Sequence, residues 1–155
     1  MKIEEVLALV PIFSTLEPEE IGILKGFVQQ KSFPENAVIF HEKDPGDALY
    51  IVAKGGVRIL KNLDGKNSIT LAGFLENEFF GELALLDGSP RSADAVAGRA
   101  SVLLVISVSE FHRMMQDAPF VALKIISQIA CHLATRLRQA TNKIAELENW
   151  RLLRK

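Results

Sequence analysis

Phe79-Phe80-Gly81-Glu82-Leu83-Ala84-Leu85-Leu86-Asp87-Gly88-Ser89-Pro90-Arg91-Ser92-Ala93 decides the reading of this chain. Two Phe run into a Gly, and one acid opens a short apolar turn. A Gly-Ser-Pro bend follows, and then an Arg beside a hydroxyl. This combination predicts an anion cradle. Gly81 lets backbone approach a ligand closely. The N–H groups of Glu82, Leu83 and Ala84 are expected to open a short helix without intrahelical acceptors. Such groups, with the helix dipole, favour an anion. Arg91 brings a planar fork of donors that fits oxyanion geometry. A carboxylate repels an anion, so Glu82 is expected to accept from neutral hydroxyls. Ser92 either contacts the anion or satisfies its own backbone.

Outward from this stretch, residues 31–107 alternate short apolar runs with turn residues at intervals of roughly ten, the texture of an all-β sandwich or barrel. The predicted strands are 29–33, 37–41, 48–54, 56–62, 67–73, 93–98 and 101–107. Asp44-Pro45-Gly46-Asp47 and Leu63-Asp64-Gly65-Lys66 are turns by residue chemistry. Gly55-Gly56 breaks two strands, with positive φ expected. Before the strands, residues 3–10 predict a short helix stopped by Pro11. A second helix, capped by Ser14 or Thr15, is expected to run to about Val28 with Ile21, Leu24 and Val28 on one face.

After the strands, Ser109 is expected to cap a helix with Phe111, Met114 and Met115 inward. Pro119 opens a long helix to about Trp150. Within it Ile126, Ala130, Leu133, Leu137, Ala140, Ile144 and Leu147 recur at steps of four and three, a heptad seam. The seam predicts a homodimer through residues 126–147; the alternative is an amphipathic helix lying on its own domain. Arg151, Arg154 and Lys155 form a basic tip that suits a helix C-terminus.

The run Phe80 to Leu85 followed by Pro90-Arg91-Ser92-Ala93 resembles the phosphate-binding cassette of the cyclic nucleotide-binding domains, such as the catabolite activator proteins and the regulatory subunits of the cyclic-AMP-dependent kinase. The resemblance extends to Pro11-Ile12-Phe13-Ser14-Thr15-Leu16, Val38-Ile39-Phe40, Asp44-Pro45-Gly46-Asp47, Leu49-Tyr50-Ile51-Val52 and Gly55. Two departures stand out: Asn36-Ala37 and Lys43 occupy places where the family usually has Gly. The resemblance implies a mainly β fold with flanking helices: a β-roll of about eight strands with a long C-terminal helix. Residues 1–30 are expected to be N-terminal helices, 31–108 the β-roll, and 109–155 the C-terminal helices, in one domain.

It further implies that Arg91 holds the cyclic phosphate, with Gly81, Leu83, Ala84 and Ser92 around it, and that Glu82 holds the ribose 2′-hydroxyl. The base is expected on the long helix near Thr141 and Asn142, with Arg136 a further candidate. Ala140 offers no hydrogen bond there. Val57 and Leu71 are expected as apolar walls; core packing is the alternative. The ligand is cyclic AMP or cyclic GMP, with cyclic AMP preferred. The alternatives are a dimerisation or partner-docking module that binds no nucleotide, and a fragment of a transcription regulator without its helix-turn-helix.

The bulk properties agree with a regulatory module. The chain has 155 residues, 48% hydrophobic and 24% charged, with a net charge of −1. That balance gives no field for nucleic acid, and no direct DNA binding is expected. The single cysteine, Cys131, excludes an internal disulfide and fits a cytoplasmic setting. No unbroken apolar run reaches about 18 residues, so no membrane association is expected. His41, His112 and His132 are scattered, and no metal, other cofactor or nucleophilic signature is expected. Asp87 and Asp94 are expected to point to water, and the chain is expected not to be an enzyme.

Overall fold

A computed structural model of the chain describes residues 1–65 and 67–154. The N-terminal part has α1 (Ile3–Leu9), a single 3₁₀ turn (Pro11–Phe13) and α2 (Pro18–Lys25). The cap of α2 is Glu17, not Ser14 or Thr15. Glu17 and Glu20 form a reciprocal capping box, in which the Glu17 backbone N–H donates to Glu20 Oε2 at 2.8 Å. Pro18 at the first helical position fixes this start, which puts the cap two residues after Thr15 and three after Ser14. The helix stops at Lys25, short of Val28.

The strands are β1 (Gln29–Phe33), β2 (Val38–Phe40), β3 (Ala48–Lys54), β4 (Gly56–Asn62), β5 (Ser68–Leu75), β6 (Phe79–Phe80), β7 (Asp94–Ala97) and β8 (Ser101–Ser107). They form two antiparallel four-stranded sheets, ordered β1-β8-β3-β6 and β2-β7-β4-β5. The two-residue β6 is the strand that the sequence pattern did not reveal, because it is too short to alternate. Lys66, in the predicted 63–66 turn, lies outside the described residues. Of the Gly55-Gly56 pair only Gly55 has positive φ, at 95°; Gly56 already belongs to β4.

The β3 strand explains how the two layers share one chain. Ala48 to Ala53 are all buried, because neighbours flank β3 and both of its faces are covered. Alternation then divides it. Leu49, Ile51 and Ala53 join the helix-side core with Phe79, Leu104 and Ile106. Ala48, Tyr50 and Val52 join the inter-sheet core with Phe80, Leu103 and Val105. The Phe79-Phe80 pair splits in the same way, since Ile51 opposes Phe79 and Tyr50 opposes Phe80.

Between β6 and β7 sits α3 (Leu83–Asp87), closed by Gly88 in the left-handed region at φ 62°. After β8 come α4 (Val108–Asp117) and the 35-residue α5 (Pro119–Leu153). Ser107, rather than Ser109, caps α4: its Oγ accepts from Glu110 N–H at 3.1 Å. The α4 core contacts are Phe111 and Met114, whereas Met115 is exposed. In α5, Val121, Ala122, Ile125 and Ile129 are buried in the helix-side core. Farther along, Leu137, Ile144, Leu147, Trp150, Leu152 and Leu153 are exposed. By length and composition α5 could cross a membrane, yet its first turns pack on the domain.

Candidate ligand site

The site begins with the departure of the chain from β6. Gly81 has φ 79°, a conformation open to Gly at little steric cost. A Cβ there would lie 2.8 Å from Arg91 Nη1 and 3.0 Å from the Ala48 carbonyl. Gly81 therefore makes both the turn and the room for the guanidinium. Ala84 N–H donates to the Gly81 carbonyl at 3.2 Å, and Leu85 N–H to that of Glu82 at 3.1 Å. The expected open amide of Ala84 is thus used within a tight first turn, and α3 starts at Leu83 rather than Glu82.

Arg91 is held from three sides. Its Nη2 donates to the Ala48 carbonyl at 2.8 Å and to Asp47 Oδ1 at 3.2 Å. Its guanidinium carbon lies 4.3 Å from the Phe40 ring centroid and 5.5 Å from that of Tyr50. Burial pushes the Tyr50 phenol up, and the nearby Asp47 carboxylate acts in the same direction. Arg91 is only 7% exposed, and its Nε is buried without a hydrogen-bond partner. An orphaned donor on a permanent cation costs free energy in a protein interior, so it marks a place where an acceptor is missing.

The backbone around Arg91 is clasped as well. Arg91 N–H donates to the Asp44 carbonyl and Lys43 N–H to the Arg91 carbonyl, each at 2.8 Å. Lys61 Nζ, paired with Glu42, donates to the Ser92 carbonyl at 2.9 Å. Gly46 allows the closest approach, since a Cβ there would lie 2.2 Å from the Ser89 carbonyl. Asn36 and Lys43 stand where Gly was expected, and they keep the Gly-like geometry, at φ 64° and 71°.

Glu82 is 4% exposed, and its Oε1 accepts from Arg136 Nη1 at 2.6 Å. This ion pair reaches from the cassette to α5. One turn earlier on α5, the His132 ring packs on Phe79 with centroids 4.8 Å apart.

These groups surround a cleft of about 350 Å³. Of the residues expected at the site, Gly81, Glu82, Leu83, Ala84, Arg91, Ser92 and Arg136 line it. The other four do not. Val57 is buried in the inter-sheet core. Leu71 is 54% exposed, because strand alternation gives the cleft face to its neighbour Ala72 and to Phe74; the bulge at Ile59–Ala72 and Leu60–Thr70 leaves it unmatched in the ladder as well. The apolar walls are instead Ile59, Ala72 and Phe74, with Phe40 and Phe80. Thr141 and Asn142 are exposed farther along α5, and the Thr141 hydroxyl donates to the Leu137 carbonyl at 2.9 Å. Asp87 is exposed but also lines the cleft, where Ser89 N–H holds its carboxyl below the usual range. Asp94 does not point to water: half-buried, it accepts from Glu42 N–H at 2.6 Å.

Comparison with known proteins agrees with this geometry. Residues 30–118 match the family profile of the cyclic nucleotide-binding domain. The chain is 38% identical over 130 residues to the cyclic AMP receptor protein of Thermus thermophilus, covering 84% of this chain and 58% of the relative. It is 33% identical over 146 residues to a CRP-like cAMP-activated global transcriptional regulator of Mycobacterium tuberculosis, covering 93% and 62%. The crystal structure of the Thermus thermophilus catabolite activator protein superposes with a TM-score of 0.79 at 35% identity, covering 89% of this chain and 63% of that one. The chain thus spans about three-fifths of these relatives. With the two-sheet roll, the cassette and the profile match in agreement, the chain belongs to the cyclic nucleotide-binding domain family.

Proposed function

We propose that the cleft binds a 3′,5′-cyclic mononucleotide, cyclic AMP first among them, without turning it over. The observation that carries this reading is the unpartnered, buried Nε of Arg91 in a cleft shared with the buried carboxylate of Glu82. The first lacks an acceptor, and the second, which takes one donor from Arg136, has lone pairs for another. A cyclic phosphate fused to a ribose carries both, a few bonds apart. The apolar walls Ile59, Ala72 and Phe74 suit the rest of a nucleoside.

Arg136 gives the binding event a route out of the cleft. It sits on α5 and holds Glu82, so the ligand would meet the cassette and the helix together. A ligand can bias α5 only by its differential affinity for two placements of that helix. The readout would be pairing of α5 in a cytoplasmic homodimer through residues 126–147, whose distal apolar positions are exposed. With a net charge of −1, direct contact with DNA is no part of the proposal.

Calorimetry with cyclic AMP and cyclic GMP tests the first step. Saturable binding of one nucleotide per chain is expected, and folded protein that gives no heat at high micromolar ligand would overturn it. Sedimentation tests the second step, since monomers alone at tens of micromolar would contradict the homodimer.

A further inference from the structure

We infer that His132 is a positioning residue: it seats α5 on β6 so that Arg136 reaches Glu82. The inference rests on the nucleotide-binding reading of the cleft. A ring contact and an ion pair join α5 to the β6–α3 segment, one helical turn apart on the same face. His132 packs on Phe79, with the rings 4.8 Å apart and tilted by 57°. Arg136 donates to Glu82 three residues beyond Phe79. Phe79 is 5% exposed and anchored on β3 opposite Ile51, so the surface under His132 is rigid.

The partners explain the division of labour. Arg136 is half exposed, with a flexible stem, and an exposed guanidinium alone fixes a helix poorly. The half-buried His132 ring makes no hydrogen bond or ion pair among the described residues, and its contact is with Phe79. It therefore acts as an aromatic spacer with two torsions to freeze. Ile125 and Ile129 bury the preceding turns of α5, and His132 is the last docked ring before the helix reaches Arg136. Beyond Ile129 only the partly buried Leu133 also packs on the helix-side core, so without His132 α5 is held more loosely there and Arg136 loses its aim at Glu82.

The test uses the full chain and two readouts. In His132→Ala, cyclic AMP binding should weaken about five-fold, the scale of one lost aromatic pair. His132→Phe, which keeps the ring, should restore it to within about two-fold. In an Arg136→Ala background, His132→Ala should add almost nothing, because its effect runs through Arg136. Hydrogen exchange of the ligand-free protein should show faster amides over residues 129–137 in His132→Ala and normal ones in His132→Phe. A mere packing role would lower Tm but leave the full five-fold loss in the Arg136→Ala background, and that result overturns the inference. Unchanged affinity and exchange in His132→Ala would also overturn it. If the unaltered protein binds neither cyclic nucleotide, the reading of the cleft fails, and the exchange readout alone decides whether His132 seats the helix.

Discussion

The two ends of the cleft are built by different means. At the cassette end, Arg91 and Glu82 are more than nine-tenths buried and sit on segments pinned by backbone hydrogen bonds. At the helix end the one lining residue from α5 is Arg136, a half-exposed side chain, while Thr141 and Asn142 are exposed farther along the helix. One end is preorganised and the other depends on where a long helix lies. Preorganised, desolvated charge gives the larger share of binding, whereas a movable contact gives coupling. The cassette end should therefore dominate affinity, and the helix end should dominate response.

The largest effect should come from breaking the first end. Arg91→Ala removes the buried cation that would meet the phosphate, and a charge-assisted contact of this kind is worth about 2–5 kcal/mol. Affinity for cyclic AMP should fall at least about 30-fold in calorimetry. Circular dichroism should show the fold retained, since Ala48 and Asp47 can take up water.

Next in size is Gly81→Ala. The added methyl meets Arg91 Nη1 and the Ala48 carbonyl, and it sits at positive φ. A cost of about 1–2 kcal/mol in stability is expected, read from a denaturant midpoint. Binding should weaken as Arg91 is displaced. A variant of native stability and affinity would mean that the turn is not the source of the site.

At the helix end, Arg136→Ala should weaken binding about ten-fold, in keeping with one charged hydrogen bond. Thr141→Ala should change it less than about two-fold, because that hydroxyl is already spent on the Leu137 carbonyl. Equal losses in the two variants would erase the contrast between the ends.

The smallest effect sharpens the comparison by changing the scaffold alone. Lys43 holds φ 71° without being Gly, beside the clasp on Arg91. Lys43→Gly removes roughly 1–2 kcal/mol of left-handed strain. The greater freedom of Gly in the unfolded chain offsets about 0.5–1 of it. A gain of about 0.5–1 kcal/mol should appear as a higher denaturant midpoint with unchanged m-value.

The same contrast separates what was legible in the sequence from what was not. That Arg91, Glu82 and Gly81 line one cleft could be read because the features are local: a turn, an acid and a guanidinium within a few residues. Seven of the eight strands could be read because alternation is local too. Leu71 was expected as a wall, but the facing of β5 alternates residue by residue and the cleft side falls to Ala72 and Phe74, a one-residue difference that apolar composition alone does not settle. Parity along β4 could have pointed to Ile59, two residues on from Val57. The Ser107 cap was missed because Ser107 and Ser109 are chemically alike and only the geometry at the end of β8 decides between them. Thr141 and Asn142 came from a resemblance rather than from a pattern. Their placement depends on how far α5 lies on the domain, which tertiary packing fixes at Ile129, His132 and Leu133.

In the proposed complex the buried cassette end meets the sugar and the phosphate together. The most direct measurement of this is a calorimetric titration of the unaltered protein with cyclic AMP and, in parallel, with 2′-deoxy cyclic AMP. Cyclic AMP should saturate at one per chain, and the deoxy analogue should bind about ten-fold or more weakly, because Glu82 then lacks its hydroxyl donor. Equal affinity for the two nucleotides, or no heat from either, would contradict it.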